Sequence, residues 1–124
     1  MKRILIVEDE EIVSSVLSDI LRKEGFESIV ATRGNEAWEM THTFVPDLIL
    51  LDILIPELNG WDLLTKYRKH LGCFCSKVKI VVLSNVSWTA DDREKAISMG
   101  AEDFWLKVNF TPKHLAEKIK ELFK

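Results

Sequence analysis

The stretch Leu48-Ile49-Leu50-Leu51-Asp52-Ile53-Leu54-Ile55-Pro56 holds a single carboxylate in an otherwise apolar run. A carboxylate in such surroundings is costly to bury without a partner or a metal. A strand that is apolar on both faces belongs in a parallel sheet covered on both sides. Sheets of that kind bind ligands at the carboxyl ends of their strands. Asp52 closes residues 48–51, so it is expected at the working edge of the sheet.

Short apolar runs alternate with helical patterns on either side of this stretch. Strands are predicted over 4–7, 28–31, 48–51, 78–83 and 103–106. Between them, Ile12, Val13, Val16, Leu17, Ile20 and Leu21 recur with helical period and predict one inward face, with Gly25 as the stop. A weaker helix is predicted over 35–44, closed by Pro46, and a third over 60–70. Thr89 and Asp92 have the spacing of a capping box opening a fourth helix that runs to Gly100. Thr111 before Pro112 has the pattern of an N-cap followed by proline at the first helical position. Beyond it, Leu115, Ala116, Ile119, Leu122 and Phe123 are expected to face inward. Five strands alternating with five helices predict an α/β fold, a single doubly wound parallel sheet with right-handed crossovers. Its expected flavodoxin-like strand order is 2-1-3-4-5.

Composition narrows the function. The 124 residues suffice for one domain, expected to span 1–124. A net charge of −3 and a pI near 5.6 argue against a nucleic-acid surface. No apolar run approaches the ~18 residues of a membrane span. Acids arrive at Glu8, too early for a secretory signal. These features predict a cytoplasmic protein, and Met1 just ahead of the first strand predicts that the domain opens its natural chain. Cys73 and Cys75 have no further ligands near them in sequence and read as reduced thiols in a connecting loop.

The chemistry emerges from what ends each strand. Strand one ends in Glu8 and Asp9, strand three in Asp52, strand four in Ser84 and strand five in Lys107. All of these lie along one edge of a doubly wound sheet, and strands one and three flank its switch point. Three carboxylates and one ammonium leave an excess of negative charge. Two like charges ~4 Å apart repel by roughly 4 kcal/mol at an effective dielectric of ~20. A divalent cation would cancel the excess, and oxygen-only ligands with retained water suit Mg²⁺. Lys107 and Ser84 would meet phosphate oxygens, and Asp52 would act as a carboxylate nucleophile. Each residue also has a plainer reading. Glu8 to Glu11 suit the positive end of a helix dipole, Ser84 and Lys107 are ordinary strand-end residues, and Phe104 fits a core position as well as a mobile one. His42, His70 and His114 read as surface residues.

Four stretches carry a resemblance: Ile-Leu-Ile-Val-Glu-Asp-Glu (4–10), Pro-Asp-Leu-Ile-Leu-Leu-Asp-Ile-Leu-Ile-Pro-Glu-Leu-Asn-Gly (46–60), Val-Val-Leu-Ser (81–84) and Gly-Ala-Glu-Asp-Phe-Trp-Leu-Lys (100–107). In order and spacing the chain resembles the receiver domains of two-component response regulators over essentially its whole length. The resemblance implies that Asp52 accepts phosphate from a sensor histidine kinase or phosphotransfer protein. It implies Mg²⁺ held by Glu8, Asp9, Asp52 and the backbone carbonyl of Leu54. Ser84 would turn toward the phosphoryl group, Phe104 would follow as the aromatic switch, and Lys107 would bridge to the phosphate. The output would pass to a downstream effector through the face of helix four, strand five and helix five. Such a protein is a signalling switch rather than an enzyme in the ordinary sense, a monomer or a homodimer promoted by phosphorylation, with no direct contact to nucleic acid or membrane. No effector domain accompanies it in these 124 residues.

Two positions depart from the family pattern. Val108 follows Lys107 where a cis-proline is usual, and a cis bond to a non-proline residue costs ~2.5–4 kcal/mol, so a trans bond is expected. Asn85 stands where a very small residue is usual. These departures support an alternative, a pseudo-receiver acting as a phosphorylation-independent interaction module. A flavin binder or small phosphotransferase of flavodoxin-like fold is a further alternative, weakened by the lack of a phosphate-cradling glycine cluster.

Overall fold

The structure, a computed structural model, describes residues 1–55, 57, 59–70, 78–84, 90–107 and 110–124, with the side chains of 70 and 90 excepted. The expectations placed on Cys73, Cys75, Asn85, Thr89, Val108 and the His70 side chain lie outside the described residues, as do Pro56 and Trp88.

Elements alternate along the chain as β1 (Arg3–Val7), α1 (Glu11–Lys23), β2 (Glu27–Ala31), α2 (Gly34–Phe44), β3 (Leu48–Asp52), α3 (Gly60–His70), β4 (Lys79–Ser84), α4 (Ala90–Ser98), β5 (Asp103–Leu106) and α5 (Pro112–Leu122). The five strands form one parallel sheet in the order β2-β1-β3-β4-β5. In the register, Val7 lies beside Ala31 and Leu51, Asp52 beside Leu83, and Ser84 beside Leu106. The carboxyl ends of β1, β3, β4 and β5 therefore lie along one edge, as the alternating pattern predicts.

Period-two alternation divides the strand side chains between two cores. Leu5, Val7, Ile49, Leu51, Ile80, Val82 and Phe104 pack with Ala37 of α2, Leu63, Leu64 and Tyr67 of α3, and Ala96 of α4. Ile4, Ile6, Leu48, Leu50, Val81, Leu83 and Trp105 pack on the other face with Leu17 and Leu21 of α1 and Leu115, Ala116 and Ile119 of α5. Both faces of β3 are covered, and all five of its residues are buried.

Helix α1 corrects the sequence reading. Leu17 and Leu21 are buried as expected, but Ser14 and Ser18 share that face, while Ile12 is 80% and Val16 41% exposed. Ser18 and Ser28 of β2 exchange a hydroxyl hydrogen bond of 2.9 Å. Two small side chains let α1 lie close on β2, and this rotates the branched residues outward. Ile12, Val13 and Val16 then line a cleft of about 290 Å³ with Leu17, Leu83, Lys107, Phe110, Pro112 and Leu115. Helix α5 begins as read: the Thr111 hydroxyl accepts the His114 N–H at 3.2 Å and Pro112 follows the cap.

Gly60 sets the approach of α3 to the working edge. A Cβ at this position would stand 2.5 Å from the Ile53 Cα and 2.7 Å from the Asp52 carbonyl oxygen. Its N–H donates to the Ile53 carbonyl at 2.8 Å. Only glycine fits so close a contact between the start of a helix and the end of a strand.

Candidate functional site

Glu8 follows β1, and its N–H still donates to the Ala31 carbonyl at 2.9 Å, so the side chain leaves a backbone held on the β2 side. It is 3% exposed. Asp9, the next residue, is exposed. Asp52 is the last residue of β3 and is 6% exposed. One carboxylate oxygen from each of these three residues lies within 4.8 Å of the others.

Lys107 reaches into this group from the end of β5. Its ammonium donates to Glu8 Oε2 and, at 3.1 Å, to Asp52 Oδ2. The lysine side chain is only 10% exposed. The other oxygens also have partners: the Leu54 N–H donates to Asp52 Oδ1 at 3.0 Å, and the Glu10 N–H donates to Glu8 Oε1 at 3.2 Å. At 3.1 Å the gross attraction between Lys107 and Asp52 is roughly 5 kcal/mol at an effective dielectric of ~20, much of it offset by desolvation.

The protonation states follow from burial. Burial pushes the Glu8 carboxyl up to about 7; the hydrogen bond from Lys107 opposes this and the negative charge of Asp52 reinforces it. Burial alone would lower the Lys107 ammonium, but its hydrogen bond to Glu8 and the attraction of Asp52 and Glu8 outweigh it and raise it. The lysine thus stays charged, while Glu8 is the group that yields when no further cation is present.

The structure brings Glu8, Asp9, Asp52 and Lys107 together. Leu54 sits beside them, 61% exposed, with its N–H already on Asp52. Ser84 ends β4 fully buried. By alternation it lies with Val82, on the face where Phe104 packs beneath α3 and α4. Phe104 is 7% exposed and Trp105 5%, and they face opposite cores, as the alternation in β5 requires. His42 and His114 are exposed. Trp38 and Trp61 are partly buried against the core.

Sequence reasoning missed an aromatic group beside the lysine. Trp105 and Phe110 pack with ring centroids 5.8 Å apart at 52°. The Lys118 ammonium lies 5.3 Å from the first ring and 5.8 Å from the second. Such a pair contributes about 0.5–1.5 kcal/mol beyond its buried area. The five-residue spacing of the two rings crosses from strand to loop, and no single period links them.

The oxygen donors fit a small hard cation, and the three carboxylates are close enough to share one. Residues 4–120 match the family model described as the response regulator receiver domain. Among curated proteins, the chain is 34% identical over 119 residues to the DNA-binding response regulator MtrA of Mycolicibacterium smegmatis, covering 96% of this chain and 49% of that protein. It is 32% identical over 123 residues to the probable transcriptional regulator ycf27 of Guillardia theta, covering 99% of this chain and 46% of the relative. The chain thus spans about half the length of the curated relatives it matches. Among solved structures, the BeF3-activated N-terminal receiver domain of Klebsiella pneumoniae RstA superposes with a TM-score of 0.83 at 28% identity, over 96% of each chain. The Francisella response regulator 1452 receiver domain shares the fold, with a TM-score of 0.86 at 22% identity over 99% of this chain and 97% of that one. With the sheet order, the converging strand ends and the family match in agreement, this chain belongs to the response regulator receiver domains.

Proposed function

We propose that Asp52 accepts a phosphoryl group from a phosphohistidine on a protein donor and that the resulting acyl phosphate switches the conformation of the domain. One observation carries this reading: Asp52 is a buried carboxylate at a strand end with Oδ1 held by the Leu54 N–H and Oδ2 by Lys107. An Asp52 oxygen attacks phosphorus, the phosphorus–nitrogen bond breaks, and the imidazole leaves as a neutral ring after taking a proton. Water later cleaves the acyl phosphate and restores the carboxylate. Lys107 keeps its charge throughout and faces the oxygens that become more negative. Glu8, Asp9, Asp52 and the Leu54 carbonyl would hold Mg²⁺, which supplies charge neutralisation at the phosphoryl oxygens. Ser84 would turn toward the phosphoryl group, and Phe104 would follow it.

The rim supports a protein donor. Ile12, Val16 and Leu54 are exposed apolar side chains on elements that border the acidic floor. A small donor has no use for such a rim, whereas a helical partner would bury it. In this reading the domain is cytoplasmic, catalyses only its own phosphorylation and dephosphorylation, and acts on a downstream effector. Among the described residues no helix is long and apolar enough to cross a membrane.

The test is intact mass after incubation with a small phosphodonor and Mg²⁺. The wild-type chain should gain one phosphoryl group that is labile in acid as well as in base, as an acyl phosphate is, and Asp52→Ala should gain none. Equal labelling of the two would remove Asp52 from the role. The second reading is the pseudo-receiver, which rests on Val108 and Asn85 in the sequence, and an unlabelled wild-type chain would select it.

A further inference from the structure

Lysine is a long and flexible side chain, so its use in a site depends on what holds its stem and backbone. Lys107 stands just past the end of β5, the edge strand of the sheet, whose strand pairing with β4 ends at Leu106. Its ammonium nevertheless reaches two buried carboxylates, one of them at the end of β1 on the far side of β3. Something beyond the sheet must fix the point from which this side chain departs.

Phe110 has the contacts for that task. Its N–H donates to the Lys107 carbonyl at 3.2 Å and so ties its backbone to that of Lys107. Its ring packs on Trp105 and beneath the Lys118 ammonium. Trp105 is itself immobilised, 5% exposed, with its indole N–H on Asp103 Oδ2 at 3.0 Å. Phe110 also lines, together with Lys107, the cleft between α1 and α5. The ring is therefore tied to a buried tryptophan on one side while its backbone is tied to the lysine on the other.

We propose that Phe110 is a positioning residue for Lys107, holding the lysine backbone and covering its stem so that the ammonium meets Asp52. It touches no reacting atom and acts through the lysine. The inference rests on the reading of Asp52 as phosphoacceptor only for its consequence in rate. The positional claim stands on the contacts themselves.

The full chain is tested as wild type, Phe110→Ala, Phe110→Trp, Lys107→Ala and the Phe110→Ala/Lys107→Ala double variant. Limiting acetic anhydride, read by peptide mass, reports the exposure of the Lys107 amine against the exposed Lys113 as internal reference. Lys107 should label severalfold more slowly than Lys113 in the wild type. Phe110→Ala should erase most of that difference, and Phe110→Trp should restore it. With a small phosphodonor and Mg²⁺, Phe110→Ala should slow phosphorylation by about ten- to a hundredfold, the size expected of a misplaced group. In the Lys107→Ala background the same change should add nothing, since residues acting as a unit are not additive. Unchanged Lys107 labelling in a folded Phe110→Ala protein, or fully additive rate losses, would overturn the proposal. If Phe110→Ala does not fold, Phe110→Leu takes its place under the same criteria. A wild-type chain that takes no phosphate would defeat the acceptor reading, and the labelling would still decide the role of Phe110.

Discussion

Glu8 and Asp9 are neighbours in sequence and sit in opposite settings. Glu8 is 3% exposed and bound to Lys107, whereas Asp9 is exposed at the rim of the same cluster. An incoming cation meets Asp9 first and can take its carboxylate without breaking an ion pair to Lys107. Asp9→Asn should therefore weaken Mg²⁺ binding by at least about tenfold, which is ~1.4 kcal/mol, while leaving the fold intact. Calorimetric titration of both proteins checks this, and superimposable Mg²⁺ curves would exclude Asp9 as a ligand. At this scale the sequence was informative for a simple reason: apolar runs mark strands, so the polar residue after each run marks the working edge. Glu8, Asp9, Asp52 and Lys107 were legible in that way. The pairing of Lys107 with Glu8 was not, because the trajectory of a flexible side chain leaves no periodic trace. Phe110 escaped for a related reason: its role comes from a ring contact that crosses from a strand to a loop.

Among the elements, β5 is anchored at one end and functional at the other. Its first residue, Asp103, accepts hydrogen bonds from the Phe104 N–H at 2.7 Å, Arg93 Nε of α4 at 3.0 Å and the Trp105 indole at 3.0 Å. Burial raises this carboxyl, but those donors outweigh it and hold it below the usual aspartate range. A group lowered in the folded state stabilises the protein above its unfolded value, and that contribution disappears as pH falls through the folded one. Asp103→Asn should therefore lose about 1–3 kcal/mol near neutral pH, in line with hydrogen bonds to a charged acceptor. The gap to wild type should shrink below about pH 4. Urea unfolding at both conditions measures it, and a pH-independent gap would show that packing rather than charge is responsible. Helix α1 shows where element-level reading stops. Hydrophobic periodicity placed Ile12 and Val16 inward, yet two serines own that face. Apolar pattern reports which side chains prefer burial, but close approach between a helix and a strand is governed by size, and Ser18 against Ser28 is the smaller fit. Helix α5, with its cap and proline, had no such competition and begins where its local chemistry places it.

For the molecule as a whole, alternation of strands and helices together with crossover handedness leaves few topologies, and 2-1-3-4-5 is the one found. The phosphorylated state should reach partners through α4, β5 and α5. Lys107 and Ser84 end the two strands that carry this face, and Phe104 pairs with Val82, two residues before Ser84, in the register. Helix α4 is tied to α3 by contacts that can be exchanged: Lys95 lies 4.3 Å from the Trp61 ring centroid, and Arg68 donates to the Gly100 carbonyl. Amide-shift mapping with a beryllofluoride phosphate mimic should show changes concentrated in residues 84–110, and a tenfold population shift needs only ~1.4 kcal/mol of preference. Changes limited to the carboxylate cluster would instead identify a rigid interaction module. The asymmetry has its origin at Gly60. The first turn of α3 rests directly on the backbone of Asp52 and Ile53, with no side chain between them to act as a cushion. A phosphoryl group arriving on Asp52 would push against a wall on that flank. The displacement it would cause is expected to run away from α3 and more readily toward β4 and β5, so that a missing methyl group would bias the direction of the signal.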